Sequence, residues 1–446
     1  MSTATNVTQE SDVAGDLIRA FRSKTATIAV IGMGYVGLPM ALEFVRAGLM
    51  TIGIDIDDRR CKALNDGQSY IADVTDLQLS EMLDSGKFIV TSEMSQLSGA
   101  DAILICVPTP LSKSKDPDLS AVIGAGEAVS AYLSSGQLIV LESTTYPGTT
   151  EEVLLPMLEA TGLQQGVDFF LAFSPERVDP GNASYGVANI TKLVGGCNAE
   201  GTEVAATLYE QICNKVVRVS SPSVAEAAKL LENTFRSINI GLANEMAIMC
   251  RHLGIDVWEV IAAASTKPFG FMPHYPGPGI GGHCIPLDPH YLAWKVRLRG
   301  YEPRLIGVAS QINADMPRHV IDLVTEALND VGKSVRNSRI VVLGVAYKPN
   351  VGDIRESPAL DILDLLERRG AVISYCDPFV PEVTAGNTQY RAEPLSAALI
   401  SSSDCVLVIT HHADFDYELV VNKAALIIDT RNATRRFSGS RNIKYL

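Results

Sequence analysis

The sequence lacks the features of several protein classes. Its 446 residues contain no Lys/Arg run longer than two, and 51 acidic against 37 basic side chains give a net charge of −14. A protein that binds nucleic acid usually carries a basic stripe, so this balance argues against such a partner. The eight cysteines form no CxxC pair. In a chain of this length they indicate reduced cytosolic thiols rather than a disulfide framework.

Signals for secretion and membrane insertion are also missing. The first 24 residues carry three acids before the first arginine and have no apolar core, unlike a signal peptide. We interpret them as a polar arm with a short helix near 16–22. An uncharged run over 25–42 has about the minimum length of a membrane span, but three glycines and a proline interrupt it. We therefore expect a soluble, cytoplasmic protein without a membrane partner.

Short β-branched runs alternate with helical periods, a pattern typical of βαβ units around a parallel sheet. The predicted strands are 27–31, 51–54, 102–107, 138–142, 169–172, 192–194, 216–219, 339–345, 371–376, 405–410 and 425–429. Long helical runs cover 223–252 and about 304–331. The predicted fold class is α/β, with two Rossmann-like doubly wound domains joined by a central helical region. The two strand-rich regions repeat one order of elements, which duplication and the common architecture explain equally well.

The predicted boundaries follow these changes of pattern. They give a polar N-terminal arm (1–24), a first Rossmann domain (25–220), a central helical region with the cysteine loop (221–332), and a C-terminal Rossmann-like domain (333–446).

A glycine motif predicts a dinucleotide site. Gly32, Gly34 and Gly37 follow an apolar strand and open a helix. They suit a tight turn, a close approach to pyrophosphate and helix–strand packing, respectively. Asp55 ends the next strand, where an acid binds ribose hydroxyls and disfavours NADP. The candidate cofactor-binding residues here are Gly32, Gly34, Tyr35, Val36, Gly37, Asp55 and Arg60. The alternatives are a glycine turn without a ligand and, for Arg60, a solvated helix face.

One cysteine lies in a loop that can be neither helix nor strand. Cys284 follows four glycines and two prolines within Pro276–Pro286. Glycines let the backbone come close to a ligand, and a thiol presented in this way is a candidate nucleophile. The alternative, a small buried hydrophobe, is the interpretation we give to the other seven cysteines. Three histidines lie near this thiol, but their spacing matches no zinc motif, so no metal is predicted.

Two further groups lie near the thiol or on the long helix. Asp288 opens the helix after Cys284, so the pattern makes it an N-cap, and its closeness to the thiol makes it a candidate for the same chemistry. Lys229 and Asn233 are four apart and share one helix face. Together they could donate hydrogen bonds to a developing oxyanion, although a lysine there is more often solvated.

Seven motifs in order make the chain resemble the UDP-glucose/GDP-mannose dehydrogenase family, the nucleotide-sugar 6-dehydrogenases, from about Thr27 onward. They are IAVIGMGYVGLP, VPTP (107–110), LESTTYPGTT, SPERVDPG, the helix with Lys229 and Asn233, GPGIGGHCIPLDP and AYKPNVGDIRESP (346–358).

The resemblance implies a four-electron oxidation of a sugar C6 hydroxyl by NAD through a thiohemiacetal and a thioester on Cys284. It implies that Lys229 and Asn233 steady the oxyanion, that Asp288 assists proton transfer, and that Glu176 places water. It also implies NAD contacts from Thr109, Thr144 and Arg355, and a homodimer through helix 223–252. The implied contacts to the UDP-sugar, in a cleft between the Rossmann domains, are Glu176, Arg177, Lys229, Asn233, Tyr275, Gly281, Tyr347 and Lys348.

Two departures from the glucose-oxidising members concern the substrate. Pro180 stands near the place of their second acid after the PE pair, and Leu287 stands where they tend to have lysine. SPERVDPG and GHCIPLDP resemble the branch that acts on N-acetylhexosamines. We favour UDP-N-acetylglucosamine, with UDP-N-acetylmannosamine and UDP-glucose as alternatives. A two-electron 3-hydroxyacid-type dehydrogenase is a more distant alternative, because such enzymes need no thiol and have no second Rossmann domain, whereas this chain has Cys284 and residues 339–446. A silent NAD-sensing protein would be expected to have lost Cys284, Lys229 or Asn233, and all three are present.

Overall fold

The computed structural model describes residues 12–71, 73–112, 116–178, 185–437 and 439–446. The chain forms two compact units, the first ending at Leu231 and the second running from Glu232 to Leu446. Each has its own mainly parallel sheet, so both Rossmann-like domains of the predicted fold class are present. The central helical region after 232 and the C-terminal sheet belong to one unit.

The first unit is built around an eight-stranded sheet in the order β3-β2-β1-β4-β5-β6-β7-β8. Its strands are β1 (Thr27–Ile31), β2 (Met50–Ile54), β3 (Phe88–Thr91), β4 (Ala102–Ile105), β5 (Gln137–Leu141), β6 (Phe169–Phe173), β7 (Lys192–Gly196) and β8 (Val216–Arg218). Only β6 and β7 pair antiparallel among these neighbours. The helices are α1 (Val13–Ser23), α2 (Gly37–Arg46), α3 (Asp58–Asn65), α4 (Asp76–Asp84), α5 (Ser120–Tyr132), α6 (Leu155–Glu159) and α7 (Ala199–Tyr209), with a 3₁₀ turn at Met94–Gly99 and a π turn at Thr150–Leu154.

Helices on both faces explain the apolar runs of this sheet. The inner strands are buried along nearly their whole length, β4 and β5 completely, as expected where helices cover a parallel sheet on both sides. The helix predicted near 16–22 is present and is longer, since α1 spans Val13–Ser23. Asp12 caps it by accepting a hydrogen bond from Gly15 N, and it packs against α7.

Helix α8 (Pro222–Leu253) begins in the first unit and continues in the second. The second unit has a five-stranded parallel sheet in the order β10-β9-β13-β14-β15 and a two-stranded antiparallel hairpin of β11 and β12. Its helices are α9 (Val257–Ala264), α10 (Asp288–Arg297), α11 (Arg304–Asp330), α12 (Pro358–Arg368), α13 (Ala397–Ser401) and α14 (Tyr417–Lys423), with a 3₁₀ turn at Arg435–Phe437. Its strands are β9 (Arg339–Leu343), β10 (Val372–Cys376), β11 (Glu382–Ala385), β12 (Thr388–Arg391), β13 (Cys405–Val408), β14 (Ile427–Asp429) and β15 (Ile443–Tyr445).

Every predicted strand is present, and its predicted ends differ from the observed ends by at most two residues. Both predicted long helices are also present. The prediction missed β3, β11, β12 and β15, which are all only three or four residues long. Their burial is also incomplete, so their sequences lack the continuous apolar run by which inner parallel strands are recognised. No helix within the described ranges has the length and apolarity that crossing a bilayer requires.

A buried carboxylate on α8 holds the loop that follows β5. Glu226 is fully buried and accepts hydrogen bonds from Gly148 N at 2.5 Å, Thr150 N at 3.0 Å and Thr150 Oγ1 at 2.7 Å. Burial raises the pKa of Glu226, and these donated hydrogen bonds offset part of that effect. One side chain thus satisfies three donors that would otherwise be buried without partners.

We expect Glu226→Ala to lower the free energy of unfolding by about 3 kcal/mol, because it leaves several buried donors unsatisfied. Thermal and denaturant unfolding monitored by circular dichroism would measure the loss. Glu226→Gln, which keeps an acceptor oxygen, should lose less. The exposed Glu81 on α4 offers the control Glu81→Ala. Equal stability of the two alanine variants would contradict this role of Glu226.

Candidate functional site

The loop between β1 and α2 leaves room for a ligand at one of its three glycines. Gly32 has a φ of +96°, and a Cβ there would stand 2.7 Å from the carbonyl oxygen of Cys106. A Cβ on Gly37 would clash with the carbonyl oxygen of Gly32, whereas one on Gly34 would meet nothing within 4 Å. The first and third glycines therefore serve packing. The open space at Gly34, beside the N-terminus of α2, fits a pyrophosphate.

The acid at the end of β2 is tied to this loop. Asp55 is buried, accepts hydrogen bonds from Met33 N and Asp57 N at 3.0 Å each, and lies 3.4 Å from an Arg60 nitrogen. Tyr70 donates a hydrogen bond to Met33 O at 2.6 Å, and burial raises its pKa to about 12. Sequence reasoning missed Tyr70 because no motif surrounds it. The carboxylate is fixed at the position from which an acid binds ribose.

Two threonines follow the strands next to β1. Thr109 Oγ1 donates to Thr144 O at 2.7 Å, which links the segment after β4 to the segment after β5. Parallel strands present their carboxyl ends at one edge of the sheet, so both threonines lie at the edge that carries the glycine loop. Tyr35 is 46% exposed and Val36 is partly buried in that loop. Together the candidate contacts form a site of the kind that binds a dinucleotide.

Glu176 and Arg177 follow β6 at the same edge of the sheet. The Glu176 carboxylate accepts a hydrogen bond from Val178 N, and Arg177 donates to Thr191 O at 2.6 Å. Both side chains are partly exposed. The neighbouring residues 179–184, which include Pro180, lie outside the described residues.

The second unit presents the predicted nucleophile. Cys284 is exposed, whereas six of the other cysteines are buried and Cys197 is partly so. The carbonyl oxygen of Cys284 accepts hydrogen bonds from Leu287 N at 3.2 Å and Asp288 N at 2.9 Å, so the residue lies one turn before α10. A helix N-terminus favours negative charge and therefore a thiolate.

The loop before Cys284 is packed against the segment 346–358. Gly282 N donates to Arg355 O at 2.9 Å. A Cβ on Gly281 would stand 2.6 Å from the Cβ of Tyr347, so no larger residue fits there. The Lys348 ammonium lies 5.9 Å from the Tyr347 ring centre. Gly281, Tyr347, Lys348 and Arg355 are thus brought to the cysteine loop.

Asn233 and Asp288 form one buried pair. Asn233 Nδ2 donates to Asp288 Oδ2 at 2.5 Å, and the two residues are 5% and 3% exposed. The N-cap prediction for Asp288 was wrong. Leu287 is the N-cap and Asp288 is the first helical residue, and the carboxylate of Asp288 bonds to Asn233 of α8. Lys229 lies one turn before Asn233 on α8 and is also buried, which contradicts the solvated alternative.

Tyr275 has different surroundings from the other candidates of its unit. Its ring stacks on Trp258 of α9 at 6.0 Å between centres, and it stays 55% exposed.

The histidine next to the thiol, His283, has a pKa lowered by burial and by the charge of Arg355, so its imidazole is neutral near pH 7. Among the described residues no three His, Cys, Asp or Glu side chains are grouped as a metal would need.

Sequence reasoning also missed the pair that holds the loop with Tyr347. Asp377 accepts hydrogen bonds from Val345 N at 2.8 Å and Ala346 N at 3.2 Å, and its carboxylate lies 3.1 Å from His412 Nε2. Asn350 N donates to His412 Nδ1 at 2.9 Å, so the imidazole donates to Asp377 through Nε2. Burial acts to raise the pKa of Asp377, but these hydrogen bonds outweigh it and lower the pKa. An acid ending the second strand of a Rossmann-like unit was the available signal.

Three family models match the chain. They are described as the NAD binding domain, the central domain and the UDP binding domain of the UDP-glucose/GDP-mannose dehydrogenase family, and they match residues 26–213, 223–315 and 341–436. The first contains the glycine loop and Asp55, the second contains Cys284, and the third contains Tyr347 and Arg355. NAD is therefore the dinucleotide of the first unit.

Individual relatives cover almost the whole chain. A UDP-N-acetyl-D-mannosamine dehydrogenase of Pyrococcus horikoshii is 36% identical over 91% of this chain and 95% of its own length. A UDP-N-acetyl-D-glucosamine 6-dehydrogenase of Salmonella typhi is 36% identical over 87% and 90%. A solved structure of the UDP-D-ManNAc dehydrogenase of P. horikoshii has a TM-score of 0.83 at 35% identity, covering 91% of this chain and 96% of that one.

Alanine substitutions at Gly34 and Gly37 should distinguish a glycine that leaves room for the ligand from one that the packing of the loop requires. We expect Gly34→Ala to weaken NAD binding by at least tenfold at an unchanged melting temperature, because its methyl group enters open space at the pyrophosphate position. Gly37→Ala should lower the melting temperature as well, because its methyl group meets the Gly32 carbonyl. Isothermal titration calorimetry with NAD and thermal unfolding measure both effects. Unchanged NAD affinity in Gly34→Ala would disprove this assignment.

Proposed function

The chain belongs to the UDP-glucose/GDP-mannose dehydrogenase family, and we propose that it oxidises C6 of UDP-N-acetylglucosamine to the uronate with two NAD per sugar. The family and the relatives support an NAD-dependent enzyme for UDP-N-acetylhexosamines. The observation that carries the four-electron route is the exposed thiol of Cys284 one turn before α10. The choice of sugar rests on the motifs SPERVDPG and GHCIPLDP.

The first unit holds the oxidant. Gly34 and the start of α2 bind the pyrophosphate and Asp55 binds the ribose, with Tyr35, Val36, Arg60, Thr109 and Thr144 around them. We assign Arg355 of the second unit to the same cofactor. NAD held by these residues would supply the hydride acceptor for both oxidations at the sugar C6.

Cys284 divides the oxidation into two two-electron steps. Loss of hydride converts the C6 alcohol into an aldehyde, and the Cys284 thiolate adds to the aldehyde carbon to give a thiohemiacetal. Loss of a second hydride leaves a thioester. The aldehyde therefore stays bound to the protein between the two oxidations.

Four other side chains serve the charges of these steps. Lys229 and Asn233 donate hydrogen bonds to the oxyanion at C6. Asp288, which already accepts a hydrogen bond from Asn233, receives the proton of the C6 hydroxyl. Glu176 accepts a proton from the water that adds to the thioester. The carbon–sulfur bond then breaks, the Cys284 thiolate leaves, and the uronate carboxylate is formed.

The remaining candidates bind the sugar nucleotide. Tyr347 and Lys348 hold the UDP group, and Gly281 lets the backbone approach it. We assign Arg177 and Tyr275 to the same substrate. Tyr275 keeps its ring half exposed on Trp258, which suits stacking against a ligand.

UDP-N-acetylmannosamine is the second candidate substrate. It is favoured by the relative of P. horikoshii named for that sugar, which is as similar to this chain as the S. typhi relative named for UDP-N-acetylglucosamine. The two sugars differ only in the configuration at C2. Both have the same C6 hydroxyl, so the route through Cys284 is the same for either.

NADH yield with limiting sugar tests the substrate and the route together. We expect two NADH per UDP-N-acetylglucosamine from the wild type, and loss of turnover by at least a thousandfold in Cys284→Ala, because without the thiol the aldehyde cannot form a thioester. Absorbance at the NADH band measures the yield. Turnover only with UDP-N-acetylmannosamine would replace the sugar and keep the route.

Cys197→Ala is the matched control. Burial raises the pKa of Cys197 to about 12, so this thiol stays protonated and the variant should keep wild-type yield and rate. A yield of one NADH per sugar that survives Cys284→Ala would mean that Cys284 is not the nucleophile.

We also propose that the protein is a homodimer paired through α8. Phe235, Leu242 and Met249 recur every seven residues on this helix and are 44%, 54% and 42% exposed. Apolar side chains at this spacing form a stripe along one face, which is the pattern of helices that pair. A second copy offers the same stripe, so a twofold axis can cover both at once.

Leu242→Glu should shift the dimer towards monomer and raise its dissociation constant by roughly a hundredfold, because the twofold axis brings two carboxylates into the apolar contact. Multi-angle light scattering at micromolar concentration measures the molar mass of the protein in solution. Leu77→Glu, an exposed leucine on α4, is the control and should leave the mass unchanged. A monomeric wild type would refute the dimer.

A further inference from the structure

Three buried polar side chains in the first unit take no part in the proposed reaction. Lys192 Nζ donates to Glu142 Oε2 at 2.6 Å, and the side chains are 3% and 0% exposed. Tyr209 OH donates to the other oxygen of Glu142, and the Lys192 ammonium lies 5.0 Å from the Tyr209 ring centre. Glu142 follows β5, Lys192 opens β7 and Tyr209 ends α7. The cluster thus joins three separate elements.

Lys192 also reaches the segment that carries Glu176. Its ammonium donates a second hydrogen bond to Pro175 O, at 3.2 Å. Two further bonds join the same two segments on either side of this one. They run from Ser174 Oγ to Leu193 O at 2.8 Å and from Arg177 to Thr191 O at 2.6 Å. The chain is therefore tied to β7 and the residue before it through residues on both sides of Glu176.

The other end of the cluster lies beside the NAD site. Glu142 directly precedes Ser143 and Thr144, and Ser143 Oγ donates to Val107 O at 2.7 Å. Thr109 then donates to Thr144 O. The ion pair therefore connects the segment that carries Thr144, which we assign to NAD binding, with the segment that carries Glu176, which we assign to the hydrolytic water.

The cost of burying this pair indicates a use beyond stability. Two charges taken out of water lose hydration, and a well-packed apolar pair of the same size is often as stable or more stable. Burial acts to raise the pKa of Glu142 and to lower that of Lys192, but the carboxylates of Glu142 and Glu176 outweigh burial at Lys192 and raise its pKa. The ammonium is therefore charged, and the charge of Glu176 contributes to the raised pKa of Lys192.

We propose that Lys192 is a positioning residue, which Glu142 and Tyr209 orient, and that it sets the place of Glu176 through the Pro175 carbonyl for hydrolysis of the thioester. An apolar side chain at 192 can fill the volume but cannot bond to this carbonyl. The inference rests on the proposed function, in particular on a thioester at Cys284 and on Glu176 as the group that activates water.

The test removes both charges together. Lys192→Met alone leaves the buried Glu142 carboxylate without its counter-charge, which endangers folding. The double variant Glu142→Gln/Lys192→Met conserves volume and leaves no isolated charge, so it should melt near the wild-type temperature. We expect its first turnover to release two NADH at the wild-type rate. Its steady-state rate should fall by roughly a hundredfold, because a misplaced catalytic group costs about that factor.

Two readouts separate positioning from a purely structural role. The thioester should accumulate on the double variant and be visible in the intact protein mass as an acyl adduct at Cys284. Hydroxylamine, which attacks a thioester without help from Glu176, should restore turnover. Lys215→Met, an exposed lysine just before β8, is the matched control and should behave as the wild type.

Either of two results would overturn the inference. Wild-type steady-state rates in the double variant would mean that the pair only fills space. A slow first turnover without adduct would mean that the pair serves the oxidations or the fold and not hydrolysis. Failure of the proposed function is distinguishable, because the wild type itself would then release fewer than two NADH per sugar.

Discussion

The functional loops of this protein depend on hydrogen bonds that their backbone N–H groups donate to buried carboxylates. A loop that approaches a ligand cannot pair its backbone in a sheet or helix, so its donors need other partners. A carboxylate has two oxygens that together accept several hydrogen bonds, and its charge strengthens each of them. Asp55 serves the glycine loop, Glu226 the loop after β5, and Asp377 the loop with Tyr347.

The same arrangement recurs in both units. Asp55 and Asp377 each follow the second strand of their sheet and bond to the turn after the first strand. Gly32 and Gly344 begin those turns with φ values of +96° and +79°, and each lies against a carbonyl oxygen just beyond the neighbouring strand. The two turns differ after this first glycine. Gly34 and Gly37 have no glycine counterparts in the AYKPN segment, so the second turn places side chains where the first leaves space for a ligand.

The sequence predicts this architecture well because buried parallel strands carry continuous apolar runs and the motifs are local. It predicts contacts between distant residues poorly. Asn233 and Asp288 were both candidates, but their hydrogen bond joins α8 to α10, and only the fold brings them together. Glu142 and Lys192 are separated by 49 intervening residues. Each looks like the polar end of a strand, and nothing in the sequence indicates that the two side chains meet.

The thiols show how burial can distinguish one reactive group from six inert ones. Burial raises the pKa values of Cys61, Cys106, Cys197, Cys213, Cys376 and Cys405. A protonated thiol is a poor nucleophile, so these side chains are inert without any protecting group. Cys284 has the opposite setting, exposed and one turn before a helix. The glycines before it are what makes that setting possible, because at Gly281 and Gly282 a side chain would collide with Tyr347 and push the thiol away from the helix start.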